Sequence, residues 1–150
     1  NALNATRGQL NSLKRWGANG QLTEAHDYAD GREVALQRWY LNGKLHERRA
    51  LVGTGDQARV LRESFSDAGV LLRRDRLLAS ADDVDTPIGV QQTFHGDGTL
   101  ASEETWSPPD ASGRTRLIAR RAWDESGHLT ADDDILEDGS RQPRARALGS

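Results

Sequence analysis

The sequence predicts an all-β protein, an antiparallel meander of repeated β-hairpins forming an elongated or partly rolled open sheet. Three observations lead there. First, an aromatic-x-x-x-Gly-x-Leu pattern occurs at Trp16/Gly20/Leu22, Trp39/Gly43/Leu45, Phe65/Gly69/Leu71, Phe94/Gly98/Leu100 and Trp123/Gly127/Leu129. It uses five of the eight aromatic residues in the chain, too many for coincidence. Second, Gly8, Gly31, Gly55, Gly113 and Gly139 fall between these units, so that glycines recur every 11 to 15 residues outside one gap. That step is the length of one strand and one turn. Third, no stretch longer than about ten residues carries a helical period.

Each hairpin follows from its turn. Ala18-Asn19-Gly20 suits a three-residue loop, a type I turn closed by a glycine at positive φ. Gly17 then faces Gln21, and Trp16 faces Leu22 as a cross-strand pair. Leu41-Asn42-Gly43 and Glu125-Ser126-Gly127 fit the same loop. The first strand is expected from Leu10. "REVALQRWY", "DQARVLRESF" and "RTRLIARRAW" read as strands with period-two alternation, whereas "LASEETW" alternates poorly. About ten strands result, in one domain over residues 1–150, with repeats over about 8–139 and tails at 1–7 and 140–150.

The copying fails in two places. The glycine gap spans 72–93, where "LLRRDRLLAS" extends a strand and "ADDVDTPIG" makes a charged, proline-containing loop. "WSPPDASG" at 106–113 is a second expanded turn, because consecutive prolines cannot hold a central ladder. Repeat proteins often place such insertions on the binding face.

Composition narrows the functional classes. Apolar residues make up only 35 % of the chain, so the sheet covers one face at most. A net charge of −3 argues against a nucleic-acid partner, which needs a basic excess, and gives no strong membrane signal. The chain has no cysteine, which removes disulfides, thiolate metal sites and cysteine nucleophiles. Asn1-Ala2 reads as a cloning remnant. The expectation is an exported, periplasmic protein whose signal peptide has been removed, with a cytoplasmic protein as the alternative.

The unit "WYLNGKLHE" at 39–47, with "YADGR" at 28–32 as its second half, resembles the bacterial variant of the MORN repeat found in YwqK-type antitoxin proteins. The later units keep the aromatic, glycine and leucine at a spacing of 29 residues. The resemblance implies a hairpin meander and a non-enzymatic binding role. It also implies an immunity or antitoxin-type function against a cognate toxin, such as a type VI secretion lipase effector. The alternative it implies is an envelope-associated structural or scaffolding repeat protein with a membrane or self-association role.

The remaining chemistry reads as structural. His26, His46, His95 and His128 show no metal-ligand spacing, although His26 and His46 lie on neighbouring half-repeats and are candidates to approach one another. "ADDDILEDG" at 131–139 reads as a solvated acidic loop, "RRDR" at 73–76 as one polar face of a long strand, and "RQPRAR" at 141–146 as a loose tail. No Gly-x-Ser-x-Gly elbow or phosphate-binding loop occurs. The expectation is therefore a non-enzyme without cofactor or metal. Its partner would be a protein, met through one sheet face and the two insertions. The candidate contact residues are Arg73, Arg74, Arg76, Asp82, Asp83, Asp85 and Trp106, and self-association through an exposed face or edge is a further expectation.

Overall fold

The computed structural model describes residues 10–79 and 85–144. Eleven antiparallel strands form one open sheet in sequential order, β1 to β11, not closed into a barrel. They are β1 Leu10–Trp16, β2 Leu22–Ala29, β3 Arg32–Trp39, β4 Leu45–Val52, β5 Arg59–Phe65, β6 Leu71–Leu78, β7 Gly89–Phe94, β8 Leu100–Trp106, β9 Leu117–Trp123, β10 Leu129–Ile135 and β11 Arg141–Pro143. A single 3-10 turn, Gly55–Gln57, lies between β4 and β5. The eleventh strand occupies part of the expected C-terminal tail, because Arg141 pairs with Ile135 and Pro143 with Asp133.

The turns form as their residues dictate. Gly17 N–H donates to Gln21 O at 2.8 Å and Gly20 N–H to Gly17 O at 2.9 Å. Gly20 closes the loop at φ +81, a backbone conformation that residues with a Cβ rarely adopt. The same pair of bonds recurs around Gly43, Gly69, Gly98, Gly113, Gly127 and Gly139. Two side-chain devices support these loops. Asn19, Asn42, Asp97 and Asp138 accept from the backbone N–H just beyond the glycine. Asp110 and Asp124, at the first turn position, accept two backbone N–H groups each. Asp30-Gly31 makes a tighter two-residue turn with both residues at positive φ.

Trp16 lies opposite Leu22, Trp39 opposite Leu45, Phe65 opposite Leu71, Phe94 opposite Leu100 and Trp123 opposite Leu129. One residue further in, each of these hairpins carries a second β-bulge, at Thr23, His46, Leu72, Ala101 and Thr130. An extra residue there breaks the period of two, which is why alternation along "LASEETW" reads poorly. The tips of adjacent hairpins then stack: Tyr40 Oη donates to Phe65 O at 2.6 Å, and Asn42 Nδ2 to Asp67 O at 2.9 Å.

The sheet is one layer thick. Strands touch only their neighbours in sequence. The accessible surface of 9675 Å² exceeds the roughly 7,500 Å² of a compact protein of this mass. Few apolar side chains are buried (Leu36, Ala58, Leu77 and Ile135), and Glu63, Asp75, Gln91, Asp132 and Asp133 are buried beside them.

Register explains the buried charges. Lys14, Ala25, Gln37, Arg48, Glu63, Arg74, Gln92, Glu103, Arg121 and Asp132 stand opposite one another in succession, a row crossing ten strands on one face, here the front. Alternation puts the hairpin aromatics of β1, β3, β5, β7 and β9 on the front as well. Arg48 accordingly lies over the Phe65 ring, 5.8 Å from its centroid. The next row, Leu13, His26, Leu36, Arg49, Arg62 and Asp75, is on the back.

Candidate functional site

The candidate site lies on the back of the sheet, at the end where the repeat is interrupted. β6 supplies its centre. Strand alternation splits "RRDR" between two faces: Arg73 and Asp75 point to the back, Arg74 and Arg76 to the front. The cluster is therefore not one polar face, and each half has its own partners.

On the back, Asp75 is only 2 % exposed. It accepts from Arg62 Nη2 at 2.9 Å and from Arg73 Nε at 2.7 Å. Asp85, at the end of the inserted loop, reaches back over the sheet. It accepts from Arg62 Nη1 at 2.9 Å and Arg49 Nη2 at 3.1 Å. Arg49, Asp85, Arg62, Asp75 and Arg73 thus form one chain of alternating charge. Burial would lower the Arg62 pKa, but the carboxylates of Asp75 and Asp85 outweigh it and raise it. Arg73 is the outermost member, its side chain 55 % exposed.

On the front, Glu63 sits between Arg48 and Arg74. Both guanidinium groups donate to it, Arg74 Nε at 2.9 Å. Burial would raise the Glu63 pKa, but the donors of Arg48 and Arg74 prevail and hold it below the usual carboxylate range.

Toward the loop end the back becomes apolar. Leu51, Val60 and Leu77 stand in one row. Trp106, half-buried, lies on the same face further across the sheet, between Gly89 and Leu117. Leu77 bridges to Pro87, and Leu78 N–H donates to Thr86 O at 2.8 Å. Thr115 Oγ1 donates to Pro87 O at 2.7 Å, which ties the expanded turn after β8 to the inserted loop after β6. The two departures from the repeat are therefore joined at one end of the sheet. Arg76 belongs to this joint through its main chain and through Nη1, which donates to Val90 O at 2.8 Å.

Of the residues singled out from sequence, Arg73 and Asp85 meet on the back through Arg62 and Asp75, with Trp106 on the same face further across the sheet. Arg74 and Arg76 lie on the other face. Asp82 and Asp83 lie outside the described residues. Sequence reasoning missed Arg48, Arg49, Arg62 and Glu63. Their signal was present as charges recurring in "LHERRALV", "RVLRESF" and "LLRRDRLL", but only the register shows which of them meet.

Three other expectations change. The run 131–135 is not a solvated loop: it is the second half of β10, and Asp132 lies opposite Arg121 with side chains 3.8 Å apart. Residues 141–144 are not a loose tail, since Arg144 Nε donates to Asp134 Oδ1 at 2.8 Å. His26 and His46 do not meet: His26 lies between Glu24 and Glu33, and His46 stacks on Tyr40 at 4.2 Å. Among the described residues, no three His, Asp or Glu side chains converge as metal ligands do.

Comparison with protein-family models finds no match to this chain. Comparison with the curated proteins finds no significant similarity. The class is set by the fold alone: a single-layer antiparallel hairpin-repeat sheet with one interrupted end.

Proposed function

We propose that this chain is a non-catalytic immunity or antitoxin-type protein that binds a cognate bacterial toxin and blocks it by occupancy. One observation carries the reading: the break in the repeat is held as a built surface. Asp85 is clamped by Arg49 and Arg62, and Pro87 is tied to Thr115 of the second expanded turn. The surface presents guanidinium groups, an acidic side chain and the half-buried Trp106 on a strand scaffold. Arg and Trp are the residue types that concentrate binding energy at protein interfaces. The carboxylates here act as fixed charges held by guanidinium groups, which suits recognition rather than proton transfer. The MORN-type resemblance supplies the toxin class, with a type VI secretion lipase effector as the first candidate and the periplasm as the place of encounter.

The test is co-purification with the products of adjacent genes. The expected result is a stable complex that Arg73→Glu and Trp106→Ala each weaken by about tenfold or more. Failure of the wild-type chain to bind any effector encoded nearby refutes the reading.

An envelope-associated scaffold is the second reading. The observation that favours it is the exposure of Trp16 and Leu41 at one corner of the sheet. It predicts sedimentation with anionic liposomes and no toxin partner.

A further inference from the structure

We infer that Arg73 and the hydroxyl groups beside it form a carboxylate subsite, into which an Asp or Glu side chain of a protein partner docks. The identity of that partner rests on the toxin-binding reading. The subsite is a property of this chain alone and is tested on this chain alone.

The alternation of charge on the back breaks off at Arg73. From Arg49 through Asp85, Arg62 and Asp75, each member is followed by one of opposite sign. Arg73 gives Nε to Asp75 at 2.7 Å, and its Nη1 and Nη2 groups donate to no acceptor among the described residues. The side chain is 55 % exposed. The next carboxylate along this row is Glu47, opposite Ser64, and Arg38 Nη1 already donates to it at 3.2 Å. The chain of charges therefore ends in a cation whose outer edge has no anion.

The neighbours across the sheet add donors and no charge. Ser64 on β5 and Thr93 on β7 both stand directly opposite Arg73, and Ser102 on β8 stands opposite Thr93. Cβ atoms of such pairs lie about 5 Å apart on one face, so both flanking hydroxyls reach a group seated over the guanidinium. Ser64 Oγ has no hydrogen-bond partner among the described residues. Thr93 Oγ1 and Ser102 Oγ are 2.6 Å apart. One proton fills that bond, which leaves the second hydroxyl proton for a ligand. With Ser102 donating to Thr93, the Thr93 hydroxyl is polarised toward the ligand and becomes the stronger donor.

This donor set fits a carboxylate. The free edge of the guanidinium offers two coplanar N–H groups, the fork that matches two carboxylate oxygens. Ser64 and Thr93 add one donor from either side, so that four donors meet the lone pairs of the two oxygens. The donors lie in one row along the sheet, and a tetrahedral oxyanion there would leave an oxygen turned away from them. Charge points the same way. The back cluster holds three guanidinium groups and two carboxylates, and a third carboxylate balances it.

The test uses N-acetyl-glutamate amide as the probe, titrated into isotope-labelled chain and followed by NMR. Saturable shifts are expected at the Arg73 Nε–H signal and at the Ser64 and Thr93 amides, and the neutral glutamine analogue is expected to cause none. Arg73→Lys keeps the charge but loses the fork, and is expected to raise the Kd about tenfold. Ser64→Ala and Thr93→Val each remove one donor and are expected to raise it about fivefold. The comparison of the two probes on the wild type needs no variant to fold. The inference is overturned if the glutamine analogue causes the same shifts. Equal shifts at Arg32, an exposed arginine opposite Ala29, reduce it to general ion pairing and overturn it as well. So does a folded Arg73→Lys, or a pair of folded hydroxyl variants, that binds like the wild type. Probe binding without any toxin partner supports the subsite and refutes the toxin reading; a toxin partner without probe binding refutes the subsite alone.

Discussion

Replacing Gln91 by Glu tests the point where a side chain takes the place of the sheet ladder. β6 and β7 pair through Arg73↔Thr93 and Arg74↔Gln92, and then diverge into the inserted loop. Gln91 fills the divergence. Its Oε1 accepts from Arg76 N–H at 2.6 Å, while Nε2 donates to Arg76 O at 2.9 Å and Ile88 O at 3.0 Å. Gln91→Glu preserves shape and the acceptor, but at neutral pH it turns the donor into an anionic oxygen facing two carbonyl oxygens. Two hydrogen bonds at about 1 kcal/mol each are lost, Arg76 O keeping only its bond from Ile88 N–H, and the anionic oxygen facing two carbonyl oxygens adds a further penalty, for a total of about 3 kcal/mol. With a urea slope of about 2 kcal/mol per M, the unfolding midpoint falls by roughly 1.5 M. The pH dependence follows from the same geometry. A protonated carboxyl has one O–H and restores one of the two donated bonds, so the fold favours the neutral form and raises the introduced group's folded pKa above its unfolded value of about 4.3. The loss is therefore smallest below that unfolded pKa, grows as pH rises toward the folded pKa, and is constant above it. Gln91→Leu, which has no titrating group at the site, loses stability equally at every pH. Urea unfolding of both variants across this range is the assay. A midpoint for Gln91→Glu equal to that of the wild type at neutral pH refutes the ladder role.

Two further outcomes are expected. Glu63→Gln leaves Arg48 and Arg74 without their shared anion; since both guanidinium groups are partly exposed, the cost is about 2 kcal/mol rather than that of a fully buried pair. Because the Glu63 pKa is lowered by folding, its contribution is present above the unfolded carboxylate pKa and is lost as pH falls, so acid-induced unfolding monitored by circular dichroism is shallower in Glu63→Gln than in the wild type. His26 lies 2.6 Å from a Glu24 oxygen and 2.7 Å from a Glu33 oxygen, and the hydrogen bond to Glu24, followed by that to Glu33, raises its pKa. That stability is fully present below the unfolded histidine pKa and is lost as pH rises through the raised folded value. The thermal midpoint is accordingly expected to fall as pH rises from the unfolded histidine value of about 6.5 through the raised folded value in the wild type, and to stay flat over that interval in His26→Phe.

The legible part of this fold is the part written in residue types with unique backbone demands. Asn19-Gly20 and Asp30-Gly31 announce their turns because few residues accept positive φ, and Trp16 with Leu22 follows from the length of the loop. The bulges at Thr23, His46, Leu72, Ala101 and Thr130 were not legible, since five different residues occupy them and none is required there. Without the bulges, strand parity past each hairpin cannot be carried into the next strand. The charged rungs were hidden for the same reason: Arg48 and Arg49 are neighbours in sequence, yet one serves Glu63 on the front and the other Asp85 on the back. Arg73 and Asp85 were correctly singled out as chemically unusual, but their connection runs through Arg62 and Asp75, which look like ordinary strand charges.

A sheet one layer thick has no second layer to fix its register by hydrophobic burial, so another interaction must. Between β5 and β6 the native pairing sets Glu63 against Arg74 and Arg62 against Asp75. Slipping by one residue in one direction sets Glu63 against Asp75 and Arg62 against Arg76; in the other it sets Arg62 against Arg74. Each slip opposes like charges, which is unfavourable for directly facing residues. The charged rungs thus discriminate against the wrong sheets while the ladder bonds stabilise any sheet. The same rungs shape what the surface selects. The back cluster holds three guanidinium groups against two carboxylates, and the front cluster two against one, in a chain whose net charge is −3. Each face therefore presents a locally basic centre on an acidic protein. On the proposed reading, an acidic patch of a protein partner would meet this centre at contact distance, where screening is weakest.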